Sequence, residues 1–267
     1  MIALALPATT QDEGGFVAPT IAETHLPPLF SIGSFDFSKH TLLVLLSVVI
    51  IAAFFMIAAK KGALVPSKMQ FLGESAYGFV RNSIGKDIIG GRDFMKYVPL
   101  LFSIFFFVLV NNIYGAIPLL QLPTFSHVGG ANFLAVLVWF IWIGVGFKKH
   151  GIKYLKLATV PSGVPWYLLP LIIPIEIISN FLVRPITHSL RLFATMLAGH
   201  LIVMVAGAGI EFLITQENIL LQGTSLLVLA GAIAMYFLEA LIMVLQAYIF
   251  VLLTAIYIEG ALHADAH

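Results

Sequence analysis

The stretch Ser189-Leu190-Arg191-Leu192-Phe193-Ala194-Thr195-Met196-Leu197-Ala198-Gly199-His200 places one arginine at the head of a long apolar segment. Residues 192–210 contain no Asp, Glu, Lys or Arg. An arginine side chain keeps its proton in a protein, and burying that charge in hydrocarbon costs from about 3 to more than about 10 kcal/mol. Such a residue usually faces a helix bundle or a water-filled cavity and marks an ion or proton path. The stretch therefore predicts a membrane helix that carries a permanent positive charge.

The composition is that of an integral membrane protein. Of the 267 residues, 60% are hydrophobic and 10% are charged, with a mean hydropathy of +1.01, whereas a soluble domain is about 25% charged. The net charge of +1 gives no bulk affinity for nucleic acid. The chain has no cysteine, which excludes disulfides and thiolate metal sites, and we expect neither a metal site nor a cofactor.

Uncharged runs of about 20 residues identify membrane-crossing helices. Three such runs lie at about residues 41–60, 98–118 and 132–147, and two longer apolar runs that carry a few charged residues follow at about 165–209 and 224–258. The fifth run as one helix would reach about 52 Å, against a hydrocarbon core of about 30 Å. We therefore predict an all-α membrane protein whose last two helices form a long, strongly tilted hairpin around a polar turn at 215–223. Two short spans joined by a hidden turn are the alternative for the fifth run.

The basic residues predict the orientation of the chain, because cytoplasmic loops are enriched in Lys and Arg. Seven of the 14 lie in residues 60–96 and four more in 148–156, whereas 118–132 and 210–223 have none. The two basic loops are therefore expected in the cytoplasm, with the N-terminus outside and the C-terminus inside.

The same runs divide the chain into three parts. We predict an extracytoplasmic tail of residues 1–40, a membrane domain of residues 41–258 and a cytoplasmic tail of residues 259–267. Residues 65–95 mix apolar and charged side chains, a pattern typical of an amphipathic helix that lies in the plane of the membrane. An ordinary solvated loop is the alternative for this segment.

The last two spans carry most of the polar side chains that the membrane would hold. They are Glu176, Asn180, His188, Arg191, Thr195 and His200 in the fourth span and Glu239, Gln246 and Tyr257 in the fifth. Each must be paired or wetted. Facing residues of an antiparallel hairpin have a constant sum of residue numbers, and that sum is 437 for Arg191 and Gln246 and 439 for His200 and Glu239. One hairpin can therefore bring both pairs together.

Titratable groups stand on both sides of the arginine. His200 lies nine residues beyond Arg191, which is about 13 Å along a helix axis, and Glu176 lies 15 residues before it. Glu239 would join His200 on the outer side. A proton-carrying group on each side of a fixed positive charge is the layout of two half-channels separated by a barrier.

Simpler interpretations stay open for the single residues. Asn180 and Thr195 are also typical of hydrogen bonds between membrane helices. His188 could be a snorkelling or capping side chain. Arg191 itself could form a buried structural salt bridge with one of the two glutamates.

With these residues the chain resembles a known family, subunit a of the F-type ATP synthase, over about residues 64–258. The strongest match is the stretch that contains Arg191, followed by Leu245-Gln246-Ala247-Tyr248-Ile249-Phe250. Asn112-Ile113-Tyr114-Gly115-Ala116-Ile117-Pro118 is similar to the Asn-x-x-Gly-x-x-Pro pattern of that family's second span. Val65-Pro66-Ser67-Lys68-Met69-Gln70 resembles the Val-Pro-Gly-x-x-Gln start of its in-plane helix.

The resemblance implies a bacterial plasma-membrane stator subunit that conducts H⁺ and makes no bonds itself. Its implied partners are the rotor c-ring, the b/b′ peripheral stalk, the whole F1Fo complex and the lipid bilayer. Arg191 corresponds to the essential arginine that faces the c-ring carboxylate, and Gln246 corresponds to the glutamine that accompanies it. His200 and Glu239 correspond to the acid–histidine pair of the channel, and Glu176 to an acidic residue of the cytoplasmic half-channel.

Further residues of the proton path follow less directly from the resemblance. Tyr257 is similar to a family tyrosine near the end of the last helix, and Asn180 and His188 are additional candidates. The family often has Asn where this chain has Thr195. The spacing from Glu176 to Arg184-Pro185 is one residue longer here than in other members.

Two functions outside this family stay open on the residues alone. An ion-coupled secondary transporter could use Arg191 to bind an anionic substrate, although no pair of related halves is visible in the sequence. A structural subunit of a respiratory membrane complex would use Arg191 only as a structural charge. No phosphate-binding loop is present, so a nucleotide site is not expected in this chain.

Overall fold

The computed structural model describes residues 30–32, 35–37, 39–60, 66–91, 93–117, 124–126, 128–160, 165–216 and 218–265. Almost all of these residues are helical. A short antiparallel hairpin, β1 (Phe30–Ile32) and β2 (Phe35–Phe37), precedes the helices and was not anticipated from the sequence. It falls in the predicted N-terminal tail, whose residues 1–29 lie outside the described part of the chain.

The helices follow one another with short connections. They are α1 (Lys39–Ala59), α2 (Lys68–Phe79), α3 (Phe94–Ala116), α4 (Val128–His150), α5 (Lys153–Thr159), α6 (Leu169–Ile178), α7 (Arg184–Ile214) and α8 (Ile219–Leu262). Two π-helical segments continue them without a break: Val80–Ile89 extends α2, and Ser179–Val183 joins α6 to α7. Within the described residues, five helical units are long and apolar enough to cross a membrane, namely α1, α3, α4, the joined α6–α7 and α8. The chain is therefore an all-α membrane protein.

The last helix is continuous. α8 has 44 residues, and the joined α6–α7 unit has 46, so the alternative of two short spans with a hidden turn is wrong. The turn between them is also shorter than predicted, because α8 begins at Ile219 rather than after residue 223. Asn218 caps the helix by accepting a hydrogen bond from the Leu220 backbone N–H, at 3.0 Å. The polar side chain of Thr224 donates back to the Leu221 carbonyl, at 2.7 Å, so it belongs to the helix.

The segment after α1 is a helix and not a solvated loop. The Ser67 side chain caps α2 by accepting a hydrogen bond from the Gln70 backbone N–H, at 3.4 Å. Gly73 lets α2 cross α1 closely, because a Cβ at this position would lie 2.8 Å from the Cβ of Ala58. That the helix lies in the plane of the membrane stays a prediction.

The core lies where α3, α4 and α7 surround α8. Phe250 is fully buried on α8, and Leu192, Leu101 and Val138 are buried on α7, α3 and α4. α8 continues to Leu262, four residues beyond the predicted end of the membrane domain. Because α8 is central, it contacts α7 both before and after Arg191 along the helix.

A close helix–helix approach supports the corner between α4 and α5. Gly151 turns the chain with a φ of +61°, and the Tyr154 ring then folds back onto Gly146 so closely that a Cβ there would overlap the ring. Gly144, two residues earlier on α4, has open space at the same position.

We predict that Gly146→Ala lowers the stability of the subunit and that Gly144→Ala does not. Overpacking of this kind costs about 1–3 kcal/mol, because Tyr154 must leave its site. The measurement is the midpoint of thermal denaturation of the purified complex together with the amount of subunit in the membrane. Equal effects of the two substitutions would contradict the packing described here.

Candidate proton-translocation site

Two contacts fix the register of α7 against α8. The ring centroids of His188 and Phe250 are 3.9 Å apart. Farther along, a Cβ on Gly199 would lie 2.9 Å from the Oε1 of Glu239, so the absence of a side chain makes room for the carboxylate. The residue numbers of each pair add up to 438, between the two sums used in the sequence analysis. The long hairpin therefore aligns the polar residues of the two helices at matching depths.

This register brings Arg191 and Gln246 to the same level but into different surroundings. Arg191 is exposed on the outer face of α7, whereas Gln246 is 4% exposed and lies inside the bundle. The Arg191 guanidinium has no hydrogen-bond or ion-pair partner among the described residues, and the Gln246 amide nitrogen also lacks one there. A buried structural salt bridge of Arg191 is therefore wrong, and the guanidinium is left facing outward.

The residues exposed beside Arg191 are apolar, and two of them, Ala194 and Ala198, are small. Leu190, Ala194 and Ala198 are exposed on the same face of α7, and small residues allow another helix to approach closely. The Thr195 hydroxyl donates to the Arg191 carbonyl, at 2.7 Å, within the same helix, so Thr195 does not bridge two helices. A guanidinium on such a face, without an anion among the described residues, is costly in lipid, since hydrocarbon cannot solvate the charge.

Beyond Arg191, toward the turn between α7 and α8, lies the carboxylate of Glu239. Its side chain is buried, at 8% exposure, and packs against Gly199, next to half-buried His200. No hydrogen bond joins His200 to Glu239 among the described residues. The predicted pair is thus brought to one level of the hairpin without direct bonding.

At the N-terminal end of α7 the helices form a cavity of about 370 Å³ that is open on one side. Its wall comes from the end of α4, from α5, from the α6–α7 unit and from the end of α8. The polar and aromatic side chains that line it are Trp142, Tyr154, Glu176, Asn180, Phe181, Arg184, Tyr257 and Glu259. Burial raises the pKa of the Tyr154 hydroxyl above its ordinary value, although nearby Arg184 opposes the shift. Tyr154 therefore stays neutral in the wall.

The π-helical segment Ser179–Val183 brings two charged groups to this cavity. Glu176 and Arg184 are eight residues apart, which in a regular α-helix would turn them about 80° from each other. A π turn takes one more residue than an α turn, so both side chains reach the cavity.

Asn180 holds the π-helical segment in place. Its amide nitrogen donates to Oε2 of Glu176, at 3.1 Å, and to the backbone carbonyl of Ala158 in α5, at 2.7 Å. The expected hydrogen bond between helices is therefore present, and the same side chain positions the glutamate in the cavity.

His188 is buried between Arg191 and this cavity. It is 2% exposed, and neither ring nitrogen has a hydrogen-bond partner among the described residues. Its ring centroid lies 5.9 Å from that of Tyr257, and the Tyr257 ring is itself covered by the Arg184 guanidinium, at 5.4 Å. The interpretation of His188 as a snorkelling or capping residue is therefore wrong.

A second polar layer was not singled out from the sequence. Asn112 Nδ2 donates to the Met243 carbonyl, at 3.2 Å, one turn from Glu239, and Asn111 Nδ2 donates to the Ser47 hydroxyl, at 2.9 Å. Both asparagines are 0% exposed, and their side-chain oxygens have no partner among the described residues. The signal that could have found the layer is the Asn111-Asn112 doublet within an otherwise apolar run.

Known proteins are similar to this chain over most or all of its length. The family described as ATP synthase A chain matches residues 41–259. The chain is 75% identical to ATP synthase subunit a of Pseudarthrobacter chlorophenolicus over 100% of both chains. It is 43% identical to ATP synthase subunit a of Mesorhizobium japonicum over 87% of this chain and 91% of the relative. It is 39% identical to ATP synthase subunit a of Rhodococcus erythropolis over 98% of this chain and 96% of the relative.

These matches decide against the two other functions that the residues alone left open, a secondary transporter and a structural subunit of a respiratory complex. The chain belongs to the ATP synthase subunit a family, the proton-translocating stator subunits of the Fo membrane sector.

Proposed function

We propose that this chain forms two offset proton half-channels that meet the rotor c-ring on either side of Arg191. The observation that carries the proposal is the outward-facing, unpaired guanidinium on a small apolar helix face. A carboxylate of the c-ring is the anion that would complete it. Polar groups then continue from this point in both directions along α7.

The outer half-channel would lead a proton past His200 and Glu239 to the c-ring. The buried Glu239 carboxylate beside Gly199 can take up the proton and give it to the rotor carboxylate. Once neutral, the rotor carboxylate can turn into lipid, because the large cost of a charge in hydrocarbon is gone. The Asn111–Asn112 layer next to Met243 would supply polar atoms to this side.

The inner half-channel would receive the proton after nearly a full turn of the rotor. The cavity with Glu176, Asn180 and Tyr257 offers a water-filled route to the cytoplasm, and His188 stands between that cavity and Arg191. The Thr195 hydroxyl keeps only acceptor capacity toward the path, because its hydrogen is donated to the Arg191 carbonyl.

Arg191 would act as the barrier between the two routes. Its positive charge favours the ionised form of the facing carboxylate and repels a proton that would cross directly. Gln246, at the same level, would steady the arginine from the bundle side. One charge crossing 100 mV is worth about 2.3 kcal/mol, so several protons must pass for each ATP made.

The orientation and the partners follow from the same reasoning. The cavity lined by Glu176 and Tyr257 lies at the end of α4 that carries Lys148 and Lys149, and basic ends are cytoplasmic. The N-terminus would therefore lie outside the bacterial plasma membrane and the C-terminus inside. Within the F1Fo complex we propose the c-ring at the Arg191 face and the b/b′ peripheral stalk on the other helices.

Single cysteines test the two routes separately, since the chain itself has no cysteine. We expect Asn180→Cys to react with a membrane-impermeant thiol reagent from the cytoplasmic side only, and His200→Cys from the outer side only. Val108→Cys, at a fully buried core position, is the control and should react from neither side. Labelling in oppositely oriented membrane vesicles gives the answer, and reaction of both test positions from one side would sink the two-channel proposal.

Gly199 gives a test of the outer half-channel that leaves its titratable groups in place. We predict that Gly199→Ala lowers ATP-driven proton pumping at least about tenfold, since a shift of about 1 Å at a reacting group can cost 10²-fold. Gly207→Ala on the same helix meets open space and should pump normally. Adding Glu239→Asp, which shortens the carboxylate, should restore part of the loss; no rescue would mean that the glycine serves packing alone.

A further inference from the structure

Two cavities away from the proton path form one groove along α1. The first, of about 320 Å³, lies between α1, α3 and α4 and is lined by Val48, Ala52 and Phe107 among other apolar side chains. The second, of about 390 Å³, lies between the end of α1 and α2. Phe102 lines both cavities, so the two are neighbours along α1.

The length of this groove matches one leaflet of a membrane. Its α1 side runs from Val48 to Ala59, a helical distance of about 16 Å. Half of a hydrocarbon core is about 15 Å. The groove therefore reaches from the end of α1 to about the middle of the bilayer, which is the path of a single acyl chain.

The chemistry of the groove changes along its length in the way that a phospholipid requires. The deep part is apolar; the Ser103 hydroxyl in its wall is already donated to the Pro99 carbonyl, at 2.8 Å. The part at the end of α1 contains the Glu74 carboxylate. Buried Gln70 donates to Oε1 of Glu74, at 2.8 Å, and both side chains line the cavity.

Aromatic rings line the same cavity as this exposed carboxylate. Phe55 and Tyr77 line the cavity with Phe102, and their ring centroids lie 4.6 Å and 5.7 Å from that of Phe102. A carboxylate beside aromatic faces is a favourable site for an ammonium group. Exposed Lys60 and Lys68 stand at the end of α1 and at the start of α2, where a phosphate would find positive charge and a helix N-terminus.

We propose that this groove binds one phosphatidylethanolamine molecule, with its ammonium group at Glu74 and one acyl chain between α1 and α3. In the orientation proposed above this lipid belongs to the cytoplasmic leaflet. The site lies apart from the proton path and does not depend on the half-channels, so proton pumping is expected to continue when the lipid is lost.

The test uses the complete ATP synthase complex in nanodiscs of phosphatidylethanolamine and phosphatidylglycerol, followed by mild delipidation and mass spectrometry of the retained lipid. Glu74→Gln removes the charge at nearly constant size, and Ala52→Phe fills the deep part of the groove. Asp87→Asn, an exposed acid on the π-helical extension of α2, and Val49→Phe, an exposed position of α1 outside both cavities, are the matched controls.

We expect Glu74→Gln to lower the retained ratio of phosphatidylethanolamine to phosphatidylglycerol about tenfold, the loss typical of one charge-assisted hydrogen bond. Ala52→Phe should remove about one retained lipid of either kind, and both controls should match the unaltered complex. Retention that is the same in all four variants would overturn the proposal. So would a photo-crosslinker at position 52 that joins to a neighbouring protein helix instead of lipid.

Discussion

The charge of Arg191 is the constraint on which the rest of the site depends. A guanidinium cannot be neutralised, and this one faces outward from a membrane helix without an anion among the described residues of its own chain. In the proposed complex, the negative charge comes from a partner subunit, and Ala194 and Ala198 beside Arg191 would let that partner come close. A rotor carboxylate that is charged only at this place would satisfy the requirement.

In the proposed mechanism, the two long helices place this charge between the two half-channels. Because α8 is unbroken and in a fixed register with α7, Glu239 reaches Gly199 on one side of Arg191, while Tyr257 reaches the cavity of Glu176 on the other. The π-helical segment rotates Glu176 into that cavity, and Asn180 fixes it there. The polar groups on the two sides of Arg191 are thus held by the same pair of helices.

Much of the fold could be predicted from the sequence, because membrane helices are specified by long uncharged runs. The hairpin register could also be predicted, since a constant sum of residue numbers applies to any two straight antiparallel helices. The direction in which a side chain points was harder: His188 is buried and Arg191 is exposed, which depends on packing by α4 and α8. The π turn at Ser179–Val183 was not predicted from the sequence, and the Asn111 and Asn112 contacts join helices far apart in the chain.

The most direct test of the account is proton pumping by membranes that contain Arg191→Gln, driven in turn by ATP and by respiration, with assembly of the complex measured in the same membranes. The substitution removes the charge and keeps a polar side chain. We expect an assembled complex in which coupled pumping is lost, because the rotor carboxylate that faces position 191 is no longer held ionised and the two proton routes are no longer separated. Normal coupled pumping in the assembled complex would contradict it and would leave Arg191 as a structural charge.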